Sequence, residues 1–164
     1  SLGHTVDDAI ELLKNNYEYY ETRTSHGSTL SKVVHAVISG YITAGHTAWN
    51  WFLEAMKSDI FDTQGGTTLE GIHCGVMAGT LDVIYRYFAG IDFSGDVIKV
   101  NPHLPKHWIG LDFRIRHRKI GYNFEFTPKT LKIKIEGKGK NKVPITIRGK
   151  NIRVMPGKTR TINI

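Results

Sequence analysis

Two loops carry hydroxyl, glycine and histidine residues in an arrangement that could bind an anion. The first reads SHGSTLS at residues 25–31, and the second reads QGGTTLEGIH at residues 64–73. Each loop precedes a segment with helical periodicity and therefore marks a predicted helix start. A helix start leaves backbone N–H groups without intrahelical partners and carries partial positive charge, and glycine lets an anion approach the backbone. If both helix starts face one cavity, the two loops form an anion site.

Both loops also have an ordinary structural interpretation. TTLE at residues 67–70 fits a capping box, in which a Thr hydroxyl and a Glu three residues later satisfy the start of a helix, and Ser28 fits an N-cap. His73 shares a side of its predicted helix with Ile72 and Val76, where a lone histidine is more often a hydrogen-bonded core residue than a catalyst. Because every helix needs a cap and few helices bind an anion, the loop chemistry by itself favours capping.

Composition limits the kind of protein that positions these loops. The chain has 164 residues, 40% of them apolar and 23% charged, which is typical of one ordinary folded domain or two small ones. Its single cysteine cannot form an internal disulfide, no apolar run approaches the roughly 18 residues of a membrane span, and the first residues lack the order of a secretory signal. We therefore predict a cytoplasmic protein without a membrane partner. We also predict no metal site, because His26, His35, His46 and His73 have no paired spacing with acidic residues.

The chain changes in charge and periodicity near residue 90. Residues 1–90 carry five Lys/Arg and ten Asp/Glu, whereas residues 91–164 carry seventeen and five, so the second half supplies the basic character. In the first half, apolar residues recur at three- and four-residue steps, which predicts four helices. These helices are predicted near residues 6–20, 30–41, 49–56 and 72–90. In the second half the period drops to two, which predicts an antiparallel meander or small sandwich. The predicted class is α+β, with a helical segment at 1–90 and a basic antiparallel β-domain at 91–164.

Both loops, together with MAGTLD at residues 77–82 and NPHLPKHWIGL at residues 101–111, resemble the C-terminal region of glycoside hydrolase family 65. This family includes the maltose, trehalose and kojibiose phosphorylases and related hydrolases. The resemblance extends from about residue 17 to residue 135. It implies that the helical half is the last part of an (α/α)6 barrel that cleaves α-glucosides with inversion. In the phosphorylases the nucleophile is inorganic phosphate, which is then a co-substrate, and no other cofactor is implied.

The resemblance also implies roles for individual residues. The implied phosphate-binding residues are Ser28, Thr29, Gly66, Thr67, Thr68 and His73. His26 is an implied substrate-binding residue. SHGST at residues 25–29 departs from the His-Asp-Ser-Ser form of several phosphorylases, so a hydrolase stays open as an alternative, with Glu70 as the general base that activates water. The family's general acid comes from an earlier barrel segment, so we expect this chain to lack it. The rest of the barrel would come from a missing N-terminal part or from self-association.

Two alternatives do not involve catalysis. The chain could be a carbohydrate- or anion-binding module, for which the candidate sugar platforms are Trp49, Trp51 and Trp108. It could instead bind nucleic acid through its basic half. The candidate contacts there are Arg114, Arg116, Arg118, Lys132 and Lys134. We do not expect nucleic-acid binding, because a charged row opposite an apolar row is typical of a solvated sheet face and no aromatic residues interleave with these cations.

Overall fold

The computed structural model describes residues 8–25, 27–42, 46–62 and 65–164. The chain divides into two compact units between Val83 and Ile84. Helices form the first unit, and strands form most of the second, so the predicted α+β class is confirmed. Among the described residues, no helix combines the length and the apolar character that crossing a membrane requires.

Four α-helices form the helical unit, in agreement with the periodicity. They are α1 at Ala9–Glu21, α2 at Thr29–Ile42, α3 at His46–Lys57 and α4 at Cys74–Asp82. A 3₁₀ turn at Thr67–Glu70 precedes α4, and a π-helical segment at Val83–Phe88 follows it. The last helix, predicted from residue 72 to near residue 90, is observed as a helical segment from Cys74 to Phe88 whose last six residues are π-helical. Gly71 has a φ of 92°, a value outside the right-handed helical region, and so it separates the 3₁₀ turn from α4.

Helix α2 is the central element of the helical unit, since α1, α3 and α4 all contact it. It approaches α4 at one glycine: a Cβ atom added to Gly79 would lie 2.7 Å from Cγ1 of Val33. Toward α3, the buried Lys32 places Nζ 3.8 Å from Oε2 of Glu54. The start of α2 is thus held by apolar packing on one side and by an ion pair on another.

Eight strands form the β-unit. They are β1 at Ile91–Asp92, β2 at Ile98–Val100, β3 at Leu111–His117, β4 at Ile120–Phe126, β5 at Thr130–Ile135, β6 at Val143–Ile147, β7 at Lys150–Val154 and β8 at Thr159–Asn163. One sheet has the order β1-β2-β6-β7 and the other the order β3-β4-β5-β8. The pairing of β2 with β6 is parallel, and the other described pairings are antiparallel. Ile98 and Ile145 of the first sheet share one apolar core with Phe124 and Ile133 of the second, so the unit is a small sandwich.

Two hairpin turns in the β-unit place non-glycine residues at positive φ. The alternation predicts a strand that includes Arg118, but Arg118 and Lys119 have φ values of 48° and 68° and form the turn between β3 and β4. Between β6 and β7, Arg148 and Gly149 have φ values of 46° and 76°. Positive φ at both central residues matches the right-handed twist of a hairpin, although non-glycine residues seldom adopt it.

Candidate functional site

His73 occupies the N-cap position of α4. Its carbonyl oxygen accepts hydrogen bonds from the backbone N–H groups of Val76 and Met77, at 2.9 and 3.1 Å. Its own backbone N–H donates to Oδ2 of Asp59 at 2.8 Å. His73 therefore precedes the first helical residue and does not lie on a helix face beside Ile72, which is 79% exposed.

The imidazole ring of His73 lies between two carboxylates. Nδ1 is 2.6 Å from Oδ1 of Asp59, and Nε2 is 3.2 Å from Oε2 of Glu70. Carboxylates only accept hydrogen bonds, so the imidazolium form of the ring, which donates from both nitrogens, satisfies both contacts. The bond to Asp59 first, and then the bond to Glu70, raise the pKa of His73 above its ordinary value. Both carboxylates thus favour the protonated ring, which is a double donor at the N-terminus of a helix.

A 3₁₀ turn spans Thr67–Glu70, the residues of the predicted capping box. Gly66 precedes the turn with a φ of 128°, and its backbone N–H donates to Oδ2 of Asp62 at 2.6 Å. Glu70 reaches forward to His73, and its side chain is 71% exposed. Two donors expected to face an anion, the Gly66 N–H and His73 Nε2, thus donate to protein carboxylates in this structure.

The start of α2 has the geometry of a serine cap. Oγ of Ser28 accepts a hydrogen bond from the backbone N–H of Leu30 at 3.3 Å, and the Ser28 carbonyl accepts from the Ser31 backbone N–H at 3.1 Å. The next residue, Thr29, is the first of α2 and is buried. Ser28 itself is exposed, so its hydroxyl can donate to a ligand while its oxygen caps the helix.

The two predicted loops belong to helices that contact each other near their starts. Val33 lies four residues into α2 and Gly79 five residues into α4, and these two residues meet. At 1.5 Å per residue, each helix start lies only about 6 to 8 Å along its axis from this contact. Thr68 is exposed on the 3₁₀ turn, whereas Thr67 is described by its backbone alone. His26, the implied substrate-binding residue, lies outside the described residues.

Asp59 is the residue of this site that the sequence analysis missed. It lies two residues after the end of α3 and holds His73 at two atoms, with a side chain that is 10% exposed. No sequence motif surrounds Asp59, but one signal in the sequence could have identified it. A negative charge just after a helix C-terminus is unfavourable, so an acid at this place calls for a local partner. Within the described part of the chain, no three His, Cys, Asp or Glu side chains are grouped in a way that could hold a metal ion.

The candidate sugar platforms contact other aromatic side chains. The Trp49 ring lies 5.4 Å from the ring of Phe52, and the Trp108 ring lies 5.2 Å from that of Phe88. Nε1 of Trp51 donates to the hydroxyl of Tyr17 at 3.2 Å. All three tryptophans are partly buried. These contacts favour a packing role over a stacking surface for sugar.

The basic sheet face carries carboxylates among its cations. This face is formed by β3, β4, β5 and the residue after β5. Its cations are Arg114, Arg116, Lys132 and Lys134, and its carboxylates are Asp112, Glu125 and Glu136. Nη2 of Arg114 lies 2.6 Å from Glu136, and Nζ of Lys132 lies 3.4 Å from Glu125. Arg118 lies in the turn and pairs with Asp96. This mixture of charges is typical of a solvated face and does not provide the uniform positive groove that a nucleic-acid backbone requires.

Comparison with known proteins covers both units. The model of the glycosyl hydrolase family 65 central catalytic domain matches residues 3–82, and that of the family 65 C-terminal domain matches residues 91–154. The chain is 45% identical over 101 residues to a trehalose 6-phosphate phosphorylase of Lactococcus lactis, an alignment that covers 62% of this chain and 13% of that protein. It is 33% identical over 144 residues to a kojibiose phosphorylase of Caldanaerobacter subterraneus, covering 87% of this chain and 18% of that one.

One solved structure resembles this chain along most of the 164 residues of the chain. This structure is a putative kojibiose phosphorylase from the human microbiome, with a TM-score of 0.81 and 28% sequence identity. The match covers 96% of this chain and 23% of the solved chain. The chain therefore spans less than a quarter of the length of each of these three proteins.

Proposed function

The chain belongs to glycoside hydrolase family 65, and we propose that it forms the phosphate-binding side of an active site that cleaves α-glucosides by phosphorolysis. The substrate class is a glucoside such as maltose, trehalose or kojibiose, and the products are β-glucose 1-phosphate and the released sugar. One observation carries this proposal. The His73 ring lies between two carboxylates at the N-terminus of α4, next to a glycine and threonine turn that begins after Gly66.

The proposed anion site consists of Ser28, Thr29, Gly66, Thr67, Thr68 and His73. In an inverting reaction, the nucleophile attacks the anomeric carbon from the face opposite the leaving oxygen, while an acid protonates that oxygen. His73 Nε2, the Gly66 N–H and the exposed hydroxyls of Ser28 and Thr68 would donate to phosphate oxygens. Each bond to the charged phosphate contributes on the order of 1.5 to 3 kcal/mol. The positive end of α4 favours the same anion.

Two features of the helical unit support a shared anion site. The contact between Val33 and Gly79 lies within about 8 Å, along each axis, of the starts of α2 and α4. In addition, the carboxylates of Asp62 and Glu70 accept hydrogen bonds from Gly66 and His73, which indicates that these donors suit negatively charged oxygens. We propose that phosphate replaces one or both carboxylates as the acceptor when it binds.

A hydrolase is the second candidate, and Glu70 is the observation in its favour. Its carboxylate is largely exposed and lies 3.2 Å from His73, so it could accept a proton from an attacking water. In that case water occupies the place that we assign to phosphate. The remainder of the reaction is the same for both candidates, since the general acid is proposed to come from barrel segments outside this chain.

The deciding experiment uses the enzyme that carries these residues together with the remainder of its catalytic domain. Maltose, trehalose, kojibiose and trehalose 6-phosphate are supplied with and without inorganic phosphate, and the products are identified by proton NMR. We expect cleavage of one of these sugars to require phosphate and to yield β-glucose 1-phosphate. Undiminished glucose release without phosphate would overturn the proposal in favour of the hydrolase. The 164-residue chain tested alone should show neither activity, because positioning and acid catalysis each contribute orders of magnitude.

A further inference from the structure

We infer that Asp59 is a positioning residue for His73, fixing the imidazole so that Nε2 faces the anion site. This inference rests on the proposed function for the identity of the anion. Asp59 uses both carboxylate oxygens on one residue: Oδ2 accepts from the His73 backbone N–H at 2.8 Å, and Oδ1 accepts from Nδ1 at 2.6 Å. No motif in the sequence marks this aspartate.

Two bonds to the same residue restrict the ring more than either bond does alone. The backbone bond fixes where the Cα of His73 lies relative to the end of α3, and the ring bond then fixes the side-chain torsions. Since the side chain of Asp59 is 10% exposed, water competes little for its oxygens. The imidazole is therefore preorganised before an anion arrives, which lowers the entropic cost of binding.

The same arrangement selects the protonated atoms of the ring. A carboxylate at Nδ1 requires a proton there, so the neutral form of His73 carries its proton on Nδ1 and has a lone pair at Nε2. Only the imidazolium can donate from Nε2. The charged groups that act on the ring are Asp59, from the segment after α3, and Glu70, from the 3₁₀ turn, and both favour the imidazolium. Asp59 remains bonded at Nδ1 when an anion takes the place of Glu70 at Nε2.

The variant Asp59→Asn removes the negative charge of the Asp59 side chain and keeps its size and shape. Its amide oxygen can still accept from the His73 backbone N–H, while its NH₂ group faces Nδ1 and favours a lone pair on that atom. The neutral ring then carries its proton on Nε2, and the imidazolium is disfavoured. In nitrogen-15 NMR titrations of the full 164-residue chain, we expect the pKa of His73 to fall and its neutral tautomer to change. The His73 signal is assigned by its loss in His73→Gln.

Kinetics supply the second readout, in the enzyme that carries the remaining catalytic domain. Asp59→Asn should raise the KM for phosphate about tenfold or more, the value of one charge-assisted hydrogen bond. The alkaline limb of kcat/KM for phosphate should move to lower pH, whereas the KM for sugar should change by less than about twofold because uniform sugar binding is retained. Glu18→Gln, which removes an exposed carboxylate paired with Lys14 on α1, should leave both parameters unchanged.

The outcomes distinguish this inference from the proposed function. An unchanged His73 titration in Asp59→Asn, or a wild-type neutral ring protonated on Nε2, overturns the positioning role even if phosphate is required. A shifted titration in an enzyme that needs no phosphate supports the positioning role and rejects phosphorolysis. If Asp59→Asn does not fold, the wild-type tautomer decides, since protonation on Nδ1 supports the inference and protonation on Nε2 refutes it.

Discussion

The carboxylate of Asp62 accepts a hydrogen bond from the backbone N–H of Gly66, with Oδ2 2.6 Å from the nitrogen. Gly66 immediately precedes the turn that we assign to phosphate, so under this proposal Asp62 competes with phosphate for the Gly66 N–H and repels it by charge. Asp62→Asn keeps an acceptor for the Gly66 N–H but removes the charge. We expect the KM for phosphate to fall about two- to fivefold, the range of one exposed charge interaction. Initial rates at varied phosphate measure this; a raised KM would mean that the charged bond is needed to hold the turn.

Ser28 has two roles that substitutions can separate. Its oxygen caps α2 through Leu30, and its hydroxyl is a proposed phosphate donor. Ser28→Ala should lower the free energy of unfolding by about 0.5 to 2 kcal/mol and weaken phosphate binding. Ser28→Asp restores the cap but places a negative charge at the anion site, so we expect near wild-type stability and a KM for phosphate raised roughly tenfold or more. Thermal unfolding and phosphate kinetics on both variants test this, and equal phosphate KM in Ser28→Asp and wild type would remove Ser28 from the anion site.

Packing between α2 and α4 depends on the missing side chain at Gly79. An added Cβ would lie 2.7 Å from Cγ1 of Val33, whereas a Cβ on Gly75 meets no atom within 4 Å. Overpacking lowers the free energy of unfolding by about 1 to 3 kcal/mol, and the higher helix propensity of alanine relative to glycine offsets about 1 kcal/mol of this loss. Gly79→Ala should therefore be neutral to destabilising by up to about 2 kcal/mol, while the matched control Gly75→Ala should be stabilising by roughly 0.5 to 1 kcal/mol.

Chemical denaturation of the chain measures the effect of both alanine variants. The double variant Val33→Ala/Gly79→Ala should lose less stability than the two single changes added together, since the clash partner is gone. Additive effects, or a Gly79→Ala variant as stable as Gly75→Ala, would show that α4 does not depend on this close approach.

Most helices and strands could be predicted from the sequence because their buried residues recur with a regular period. Four helices and strands such as β3 to β6 follow directly from three- to four-residue and two-residue repeats. The strands β7 and β8 were missed because most of their residues are exposed, so they carry little apolar alternation. The turn at Arg118 and Lys119 was missed because it contains no glycine or asparagine, although both residues adopt positive φ.

The candidate site was only partly predictable, for a different reason. Loop composition located Ser28, Gly66 and His73, since helix starts and glycines are local signals. The partner of His73 lies 14 residues earlier in the chain, at Asp59, and its role depends on how the end of α3 meets the start of α4. Local patterns do not encode such contacts. The contact between Glu70 and the ring of His73 is local, three residues along the chain.

In the β-unit, the carboxylate of Glu136, just after β5, bonds to side chains of β3 and β4. These bonds predict that the stability of the chain depends on pH. The Glu136 carboxylate accepts from Arg114 at 2.6 Å and from Asn123 at 3.1 Å. The bond to Arg114 is the main reason that the pKa of Glu136 lies below its ordinary value. A lowered folded-state pKa contributes stability above the unfolded value, about 4.3, and this contribution is lost as the pH falls through the folded value.

Unfolding by urea across the acid range tests this contribution. Glu136→Gln should be less stable than wild type above about pH 5, and the difference should disappear as the pH falls below the folded-state pKa of Glu136. The control Glu125→Gln removes a carboxylate of the same sheet face that pairs with Lys132. A constant difference between Glu136→Gln and wild type at all pH values would show that the side-chain shape matters and the charge does not.

Glu70 decides between phosphate and water as the nucleophile. If phosphate attacks, Glu70 is a competitor for His73 Nε2 and a like charge beside the anion, since its oxygen lies 3.2 Å from that nitrogen. Glu70→Gln should then keep turnover at saturating phosphate near the wild-type value and lower the KM for phosphate about two- to fivefold. Because Glu70 also helps to keep the ring protonated, the assay belongs below the ordinary histidine pKa of about 6.5, where Asp59 suffices.

If water attacks instead, Glu70 is the base that deprotonates it, and Gln cannot take that proton. Turnover of Glu70→Gln should then fall roughly 100-fold or more with sugar affinity little changed, and wild-type turnover should be independent of phosphate. Glu18→Gln on α1 is the control for loss of a carboxylate elsewhere in the helical unit. We expect the phosphate outcome, since the exposed neutral donors at Ser28 and Thr68 and the backbone N–H of Gly66 suit an anion. An inactive Glu70→Gln variant of an enzyme that releases glucose in phosphate-free buffer would establish hydrolysis.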